Sequence, residues 1–233
     1  MNKIRPSLQD ALADIPDGAS IMIGGFGDAG VPFEMIDALV EQGAKGLTII
    51  SNNAGTGEEG IAKLIKLDRV KKIVCSFPRQ ADSKAFDERY LKGELILDLV
   101  PQGNLAERIR AAGAGIGAFF TPTAYGTLLA DGKETREIDG RHYVLEYPIR
   151  ADYAFIKAHK GDALGNLVYR KTARNFGPVM ATAAACTIAQ VSEVVGVGDL
   201  DPEHVVTPGI FVKRVVAVPS AGRSRWAGAE IVG

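Results

Sequence analysis

The sequence of 233 residues has few of the residues that build disulfide frameworks or metal sites. It contains only two cysteines, Cys75 and Cys186, which cannot form a disulfide framework, and this favours a reduced, cytoplasmic location. Cys75 lies in an apolar run and is predicted to be a buried core thiol. The three histidines are His142, His159 and His204. They are scattered without the spacing of metal ligands, so we predict no metal site.

The sequence also lacks an excess of charge of one sign and any long apolar run. Its 27 basic and 28 acidic residues give a formal net charge of −1, which argues against binding nucleic acid through a dense basic face. The longest apolar stretches are far shorter than the ~18–20 residues of a membrane span. Residues 1–16 have no apolar core behind their two basic residues, so no secretory signal is expected there.

Motifs of nucleophilic catalysis are missing as well. No G-x-S-x-G or C-x-x-C occurs, and the acidic residues offer no convincing nucleophile. Glu58 and Glu59 are adjacent on a polar loop, where carboxylates are usually solvated. Glu107, three residues after Asn104, has the spacing of a helix capping box, and Glu146 is predicted to be a strand residue.

Strands and helices alternate through the first half of the chain. Apolar runs at Ser20–Ile23, Leu47–Ile50, Lys72–Phe77 and Glu94–Val100 predict strands, and helical spacing predicts helices between them, the first at Val31–Gln42. This pattern predicts an α/β fold with a mostly parallel sheet flanked by helices. No linker divides the chain, so we predict one domain over residues 1–219 and a flexible C-terminal tail over residues 220–233.

The second half of the chain predicts an added antiparallel hairpin region. Asp139-Gly140 supplies the positive φ angles of a tight turn, and a second hairpin is predicted around Gly161–Asn166. Small residues predict a helix at Thr182–Gln190. Ile210–Val218 predicts a late strand.

Glycine is abundant, since 27 of the 233 residues are glycine, whereas its usual share is ~7%. A glycine-rich loop follows the first of these apolar runs. That loop consists of Gly24, Gly25, Phe26, Gly27, Asp28, Ala29 and Gly30. Its G-x-G-x-x-G spacing before a helix is typical of an anion site. A dinucleotide site also requires an acidic residue after the next strand, where this sequence has Asn52 and Asn53. The motif therefore leaves two interpretations, an anion site and a simple tight turn.

Two further polar segments follow predicted strands. Asn52 and Asn53 come after Leu47–Ile50, and Gln102 comes after Glu94–Val100. Because the carboxyl ends of parallel strands meet at one edge of a sheet, these side chains should lie along the same edge as the glycine loop. Asparagine also favours turns for conformational reasons, and Gln102 could simply stabilise its turn.

At these residues the chain resembles the A subunit of two-chain 3-oxoacid CoA-transferases. The resemblance covers nearly the whole chain and rests on four blocks, IMIGGFGDAGVP, TIISNNAG, a long block that begins VPQGNLAERIRAAG, and DALGNLVYRKTARNFGPVMATAA. Within the family, VCSFPRQADS, GIGAFF and ETREIDGRHYVLEYP are most similar to enzymes that act on 3-oxoadipate in the breakdown of aromatic compounds, with acetoacetate enzymes the nearest competitors. The family more often has glycine where this sequence has Ala124.

The resemblance implies transfer of CoA from succinyl-CoA to a 3-oxo acid through an enzyme-bound glutamyl-CoA thioester. The nucleophilic glutamate is then expected on a B subunit, in a heterodimer or heterotetramer. Residues 24–30 are expected to contact CoA, Gln102 to lie near the reacting thioester, and Asn52 and Asn53 to line the cleft. CoA and succinyl-CoA are expected as substrates, with no permanently bound cofactor.

Two other functions remain open from the residues alone. A similar α/β scaffold with glycine loops can hold phosphates in a sugar-phosphate isomerase, although no persuasive acid or base occurs on a loop. A non-catalytic acyl-CoA-binding regulator would normally carry a DNA-binding module. Short-chain fatty acids are an alternative acceptor for a CoA-transferase.

Overall fold

The structure, a computed structural model, describes residues 2–80 and 82–219. The strands in this part of the chain are β1 (Ile4–Arg5), β2 (Ser20–Ile23), β3 (Leu47–Ile50), β4 (Val70–Cys75), β5 (Ile96–Leu99), β6 (Phe119–Thr121), β7 (Thr135–Ile138), β8 (Arg141–Glu146), β9 (Ala151–Asp162), β10 (Leu167–Val168), β11 (Ala184–Val195) and β12 (Arg214–Ala217). The α-helices are α1 (Leu8–Leu12), α2 (Phe33–Gln42), α3 (Ile61–Lys66), α4 (Lys84–Leu91), α5 (Gln102–Gly113) and α6 (Gly177–Ala183). The predicted tail, residues 220–233, lies outside the described residues.

The strands form two sheets. The larger sheet has the order β1-β12-β11-β9-β2-β3-β4-β5 with every neighbouring pair parallel, and β10 adds to β9 antiparallel. The smaller sheet is antiparallel, with the order β6-β8-β7. The predicted α/β class and the added antiparallel region are confirmed.

Helices cover both faces of the larger sheet. Ile21 and Ile23 of β2 belong to an apolar cluster that includes residues of α1–α4, whereas Met22 between them belongs to a second cluster with residues of α5 and α6. Because successive side chains of a strand point to opposite faces, the two clusters are the two layers of one sandwich. All three β2 residues are buried, which explains why this strand reads as a continuous apolar run.

The predicted helix at Thr182–Gln190 is wrong. The helix α6 ends at Ala183, and the chain continues as the twelve-residue strand β11, which pairs with β9 from Ala184 to Val195. Thr187 and Ile188 are fully buried between β9 and β12. Long-range pairing in the middle of the sheet has therefore overridden the helix preference of the alanines.

Two other local predictions need correction. The interpretation of Asn104 and Glu107 as a capping box is wrong, because α5 begins at Gln102 after Pro101 and has no side-chain cap. The late strand is confirmed only over Arg214–Ala217, since Gly209–Phe211 forms a turn of 3-10 helix.

The hairpin turns agree better with prediction. Asp139 and Gly140, between β7 and β8, have φ angles of 51° and 75°, as a tight two-residue turn requires. Ala124 also has a positive φ, of 75°. The resemblance places glycine there in most relatives, and glycine adopts this conformation without the steric cost that alanine carries.

Candidate functional site

Four loops leave the carboxyl edge of the larger sheet in the region where β2, β3, β4 and β5 are neighbours. They carry residues 24–32, 51–60, 76–80 with 82–83, and 100–101, and the last leads directly into α5. In an open parallel sheet this edge is where ligands bind. All the predicted site residues lie in these loops or at the start of α5.

The loop after β2 presents an exposed tip on a tightly packed base. Phe26, Gly27, Asp28 and Ala29 are exposed, and the backbones of Phe26 and Ala29 bond to each other at 3.0 and 3.1 Å. Helix α2 begins only at Phe33, two residues later than predicted, with Pro32 at its N-cap.

The glycines of this loop have different structural roles. A Cβ atom at Gly30 would lie 2.4 Å from the backbone oxygen of Ala173, and one at Gly25 would lie 2.4 Å from Val31 Cγ2. At Gly27, which has a φ of 57°, a Cβ atom would meet nothing within 4 Å. Gly25 and Gly30 are therefore required by packing, whereas Gly27 is open to an approaching molecule.

Gln102 and Asn52 meet although 50 residues separate them in the sequence. The Gln102 Nε2 donates to the Asn52 Oδ1 at 2.6 Å. Asn52 is buried, and Gln102 is exposed at the first turn of α5. The amide of Gln102 keeps a second N–H, so it can still donate to a bound oxygen atom.

Ser76 is a member of this cluster that the sequence did not reveal. Its hydroxyl lies 3.1 Å from the Asn52 Oδ1 and 3.0 Å from the Asn52 backbone oxygen. Because Oδ1 accepts from both Gln102 and Ser76, the amide nitrogen of Asn52 must point the other way. Ser76 was not predicted as a site residue because it fell inside the predicted strand Lys72–Phe77. In the structure β4 ends at Cys75, and Ser76 belongs to the loop that follows.

Asn53 has a different environment from Asn52. Its Oδ1 accepts from the Gly55 N–H at 2.8 Å, and its backbone oxygen accepts from the Ser51 hydroxyl at 2.7 Å. Its backbone also bridges to Phe77 in the adjacent loop. Asn53 thus shapes the loop that carries Asn52.

The acidic residues near this edge have partners. Glu58 is 77% exposed and pairs with Lys66 at 2.5 Å, and that hydrogen bond lowers the pKa of its carboxyl group. Glu107 pairs with Arg110 one turn further along α5, and this hydrogen bond lowers the pKa of Glu107. Neither residue has the apolar surroundings that activate a carboxylate.

Glu146 is a strand residue, as predicted, and its side chain is buried, which the sequence did not reveal. Its carboxylate lies 2.7 Å from Lys133 Nζ and 3.6 Å from Arg108 Nε, and the Asn104 side-chain amide donates to it at 3.3 Å. Asn104 and Arg108 belong to α5, and Glu146 ends β8. This network joins the smaller sheet to the helix that carries Gln102.

The two cysteine thiols and the residue types that can bind metals add no further functional group to the site. Burial raises the pKa of Cys75 to about 12, as expected of a core thiol, and also raises the pKa of Cys186. Within residues 2–80 and 82–219, no group of three or more His, Cys, Asp or Glu side chains is arranged to hold a metal ion. No helix in the same ranges is long and apolar enough to cross a membrane.

The site can therefore bind and polarise an oxygen atom but has no evident nucleophile of its own. The Gln102 amide provides a positioned donor, and Asn52 and Ser76 fix its orientation. Such donors stabilise negative charge that develops on an oxygen during acyl transfer. Among the described residues at this edge, no carboxylate lies in an activating environment.

Comparison with known proteins agrees with these features. A family model described as Coenzyme A transferase matches residues 5–218. The chain is 65% identical over 224 residues to the A subunit of the 3-oxoadipate CoA-transferase of Pseudomonas putida, covering 96% of this chain and 97% of that protein. It is 47% identical over 215 residues to the A subunit of the succinyl-CoA:3-ketoacid coenzyme A transferase of Helicobacter pylori strain J99, covering 92% of each.

A solved structure shows the same fold. The acyl-CoA transferase YdiF of E. coli O157:H7, as a thioester complex with CoA, superposes with a TM-score of 0.83 at 25% identity. The match covers 94% of this chain but only 50% of that one. This chain thus spans half the length of the E. coli transferase.

Proposed function

The chain belongs to the coenzyme A transferase family, and we propose that it is the A subunit of a two-chain enzyme that transfers CoA from succinyl-CoA to 3-oxoadipate. The observation that carries the proposal is the 65% identity to the Pseudomonas putida protein, which extends over nearly the full length of both chains. The lower identity to the succinyl-CoA:3-ketoacid transferase favours 3-oxoadipate over a simpler 3-oxo acid.

The proposed reaction proceeds in two half-reactions. A glutamate carboxylate attacks the carbonyl carbon of succinyl-CoA and releases the CoA thiolate, leaving a mixed anhydride of glutamate and succinate. The thiolate then attacks the glutamyl carbonyl, which releases succinate and leaves a glutamyl-CoA thioester on the enzyme. The 3-oxo acid carboxylate repeats these steps in reverse order. CoA is thus a substrate and not a resident cofactor.

In this scheme Gln102 donates a hydrogen bond to the oxygen that gains charge when the thioester is attacked. Asn52 holds Gln102 in position through the 2.6 Å hydrogen bond between their side chains. Ser76 in turn donates to the Asn52 Oδ1 at 3.1 Å. The loop tip at Gly27, which has no side chain and faces open space, lies where CoA can approach the backbone. These three elements supply binding and charge stabilisation.

We propose that the nucleophilic glutamate comes from the partner B subunit. The carboxylates of Glu58, Glu107 and Glu146 are engaged by basic side chains of this chain. The relatives are described as subunits, and the E. coli transferase has twice the length in one chain, which leaves room for a second half that completes the site. We also propose that the protein is cytoplasmic, because CoA thioesters are available there.

Reconstitution tests this division of labour. The purified chain by itself should show no transfer from succinyl-CoA to 3-oxoadipate, and adding a 3-oxoacid CoA-transferase B subunit should restore it. Borohydride reduction after incubation with succinyl-CoA should modify a glutamate of the B subunit, located by mass spectrometry. A reduced glutamate at Glu58 or Glu59 would place the nucleophile in this chain and reject the proposal.

Substitution of Gln102 tests the role of its amide. Gln102→Ala in the reconstituted enzyme should lower kcat by about 100-fold, as loss of one oxyanion donor does elsewhere, with little change in the KM for succinyl-CoA. Gln80→Ala is a suitable control, because Gln80 lies in the loop after β4 and its side chain contacts Thr56 instead of Asn52. A raised KM with unchanged kcat would assign Gln102 to substrate positioning instead.

A further inference from the structure

The first turn of α5 carries Gln102, so the position of this helix determines where the Gln102 amide lies. The helix begins at Gln102 after Pro101, and none of the described side chains caps its start. A capping side chain would fix the first turn by accepting from its free backbone N–H groups. The orientation of the first turn therefore depends on contacts that other residues of α5 make.

Apolar contacts hold one side of α5 against the larger sheet. Leu105 and Ile109 are fully buried in the apolar cluster that also contains Met22 of β2. At the far end of the helix, Gly113 packs so closely against Thr182 of α6 that a Cβ atom would have no room. Apolar contacts are not directional, so they define the rotation of the helix about its own axis less well than hydrogen bonds do.

The directional contacts of α5 converge on Glu146. Asn104 and Arg108 are four residues apart, so their side chains lie on the same side of the helix. The Asn104 amide donates to the Glu146 carboxylate at 3.3 Å, and Arg108 Nε lies 3.6 Å from it. Arg108 Nε also donates to the backbone oxygen of Tyr147 at 2.7 Å. The end of β8 thus contacts two successive turns of α5, beginning two residues after Gln102.

Glu146 is itself held in place on its other side. Its side chain is only 2% exposed, and its carboxylate lies 2.7 Å from Lys133 Nζ. The residue after Lys133, Glu134, accepts from the backbone N–H of Leu145 at 2.8 Å, which joins this segment to β8. Because the cost of desolvation offsets most of the attraction, a buried ion pair adds little net stability. A role in fixing the geometry of α5 therefore accounts better for a carboxylate at this position.

We propose that Glu146 is a positioning residue of the transfer reaction, which acts through α5 to hold the Gln102 amide against Asn52. The proposal rests on the proposed CoA-transferase function and extends it to a residue outside the loops of the site. In this arrangement Asn52 fixes the Gln102 side chain at 2.6 Å, and Glu146 fixes the helix that carries it.

A small movement of α5 is enough to disturb the site. Side chains of an α-helix extend roughly 5–6 Å from its axis, so a rotation of about 10° would move the Gln102 amide by about 1 Å. Misplacement of a catalytic group by that distance can lower a rate by up to about 100-fold. The alternative is that Glu146 only stabilises the smaller sheet, in which case its loss would act on the whole enzyme and not through Gln102.

A double-mutant cycle in the reconstituted enzyme distinguishes these two roles. The variants are Glu146→Gln, which preserves the shape of the side chain, Gln102→Ala, and the two combined. For each variant kcat and the KM for succinyl-CoA are measured per folded complex, with the folded fraction determined by circular dichroism.

We expect Glu146→Gln alone to lower kcat about tenfold with little change in the KM for succinyl-CoA. In the Gln102→Ala background the same substitution should lower kcat less than about twofold, because the amide that Glu146 positions is already gone. Asn104→Ala provides a second test should Glu146→Gln fold poorly. It removes one contact of α5 with Glu146 and should lower kcat in the same Gln102-dependent way.

Glu107→Gln is the matched control. It removes the same charge from α5, but the ion pair of Glu107 with Arg110 lies within the helix. The control should leave kcat and KM unchanged, both with Gln102 and with alanine at position 102.

Three results would overturn the inference. Equal losses of kcat from Glu146→Gln with and without Gln102 would make Glu146 a structural residue. A raised KM for succinyl-CoA with unchanged kcat would show that Glu146 affects binding and not the action of Gln102. A wild-type complex that transfers no CoA would reject the proposed function itself, and with it this inference.

Discussion

The two sheets of this protein are stabilised in different ways. In the larger sheet, β2 and the middle of β9 and β11 are buried on both faces by helices, and apolar side chains fill both layers. In the smaller sheet every residue of β7 is exposed, and β8 buries only Val144 and Glu146. The larger sheet therefore relies on apolar burial, whereas the smaller one relies on a few specific contacts with α5.

The contact at Glu146 links the smaller sheet to α5. Its side chain is only 2% exposed and faces Lys133, which lies in the turn before β7, and Arg108 of α5. Arg108 in addition donates to the backbone oxygen of Tyr147 at 2.7 Å. A buried carboxylate between two cations contributes little net stability compared with apolar groups, but removing it leaves its partners uncompensated. The smaller sheet should thus unfold locally at a lower free energy than the larger one.

Truncation of one aromatic residue in each sheet gives the largest expected difference. Phe155 is fully buried in β9, so Phe155→Ala should lower the free energy of unfolding by about 3–5 kcal/mol. Phe120 of β6 is half-buried under Arg136, whose guanidinium lies 4.7 Å from the ring centroid. Phe120→Ala should cost about 1 kcal/mol. Urea denaturation followed by circular dichroism measures both, and equal losses would contradict the proposed difference.

Predictions from the sequence were most accurate for strands that are buried on both faces. The bounds of β2 and β3 are confirmed to the residue, because strands buried on both faces are continuous apolar runs bounded by turn residues. The Asp139-Gly140 turn is also confirmed, since its signal is local. The helix predicted at Thr182–Gln190 failed because its true state depends on β9, which lies some 30 residues earlier in the chain.

The same distinction applies to the candidate site. The positions of Asn52 and Gln102 at one edge followed from the order of strands and loops, and their contact at 2.6 Å agrees with that expectation. Ser76 and the buried environment of Glu146 could not be predicted. Both depend on side chains that meet across distant segments, and neither residue type at its position carries a distinctive pattern.

Neutralising Glu146 should have the next largest effect. Glu146→Gln preserves the shape but leaves Lys133 and Arg108 without a counter-charge, so we expect a loss of about 2 kcal/mol. The loss is smaller than for a fully buried pair because the Lys133 side chain is 34% exposed.

Hydrogen exchange locates the effect of this variant. Amides of β8 should exchange faster in Glu146→Gln, whereas amides of β9 should change little. Glu137→Gln provides the control, since Glu137 lies on exposed β7 of the same sheet. Uniform acceleration across both sheets would show that the smaller sheet does not open independently.

Ala124 provides a smaller change of opposite sign. Its φ of 75° places the Cβ in a conformation that costs roughly 1–2 kcal/mol. Glycine removes this cost, but the greater entropy that glycine gives the unfolded chain offsets part of the gain. Ala124→Gly should therefore stabilise the smaller sheet by about 0.5–1 kcal/mol. Ala130→Gly, in the nearby 3-10 helix Leu128–Ala130, should instead destabilise it. Thermal denaturation compares the two, and a loss of stability in both would contradict the strain at Ala124.

The smallest effect concerns an exposed carboxylate in the turn after α1, which pairs with Arg214 of the larger sheet, in contrast to buried Glu146. Asp14 is 57% exposed and accepts two hydrogen bonds from Arg214, at 2.6 and 2.7 Å, and these hydrogen bonds lower the pKa of Asp14. A pKa lowered in the folded state contributes stability above the unfolded pKa of ~3.9, and this stability is lost as the pH falls through the folded pKa. Asp14→Asn should therefore lose at most about 1 kcal/mol at pH 7, and its stability should fall less than that of the wild type between pH 5 and pH 3.

Because the pair faces solvent, 1 M NaCl should reduce the difference, whereas the effect of Glu146→Gln should persist in salt. Parallel pH profiles for the wild type and Asp14→Asn would show that the Asp14–Arg214 pair adds nothing to the stability of the larger sheet.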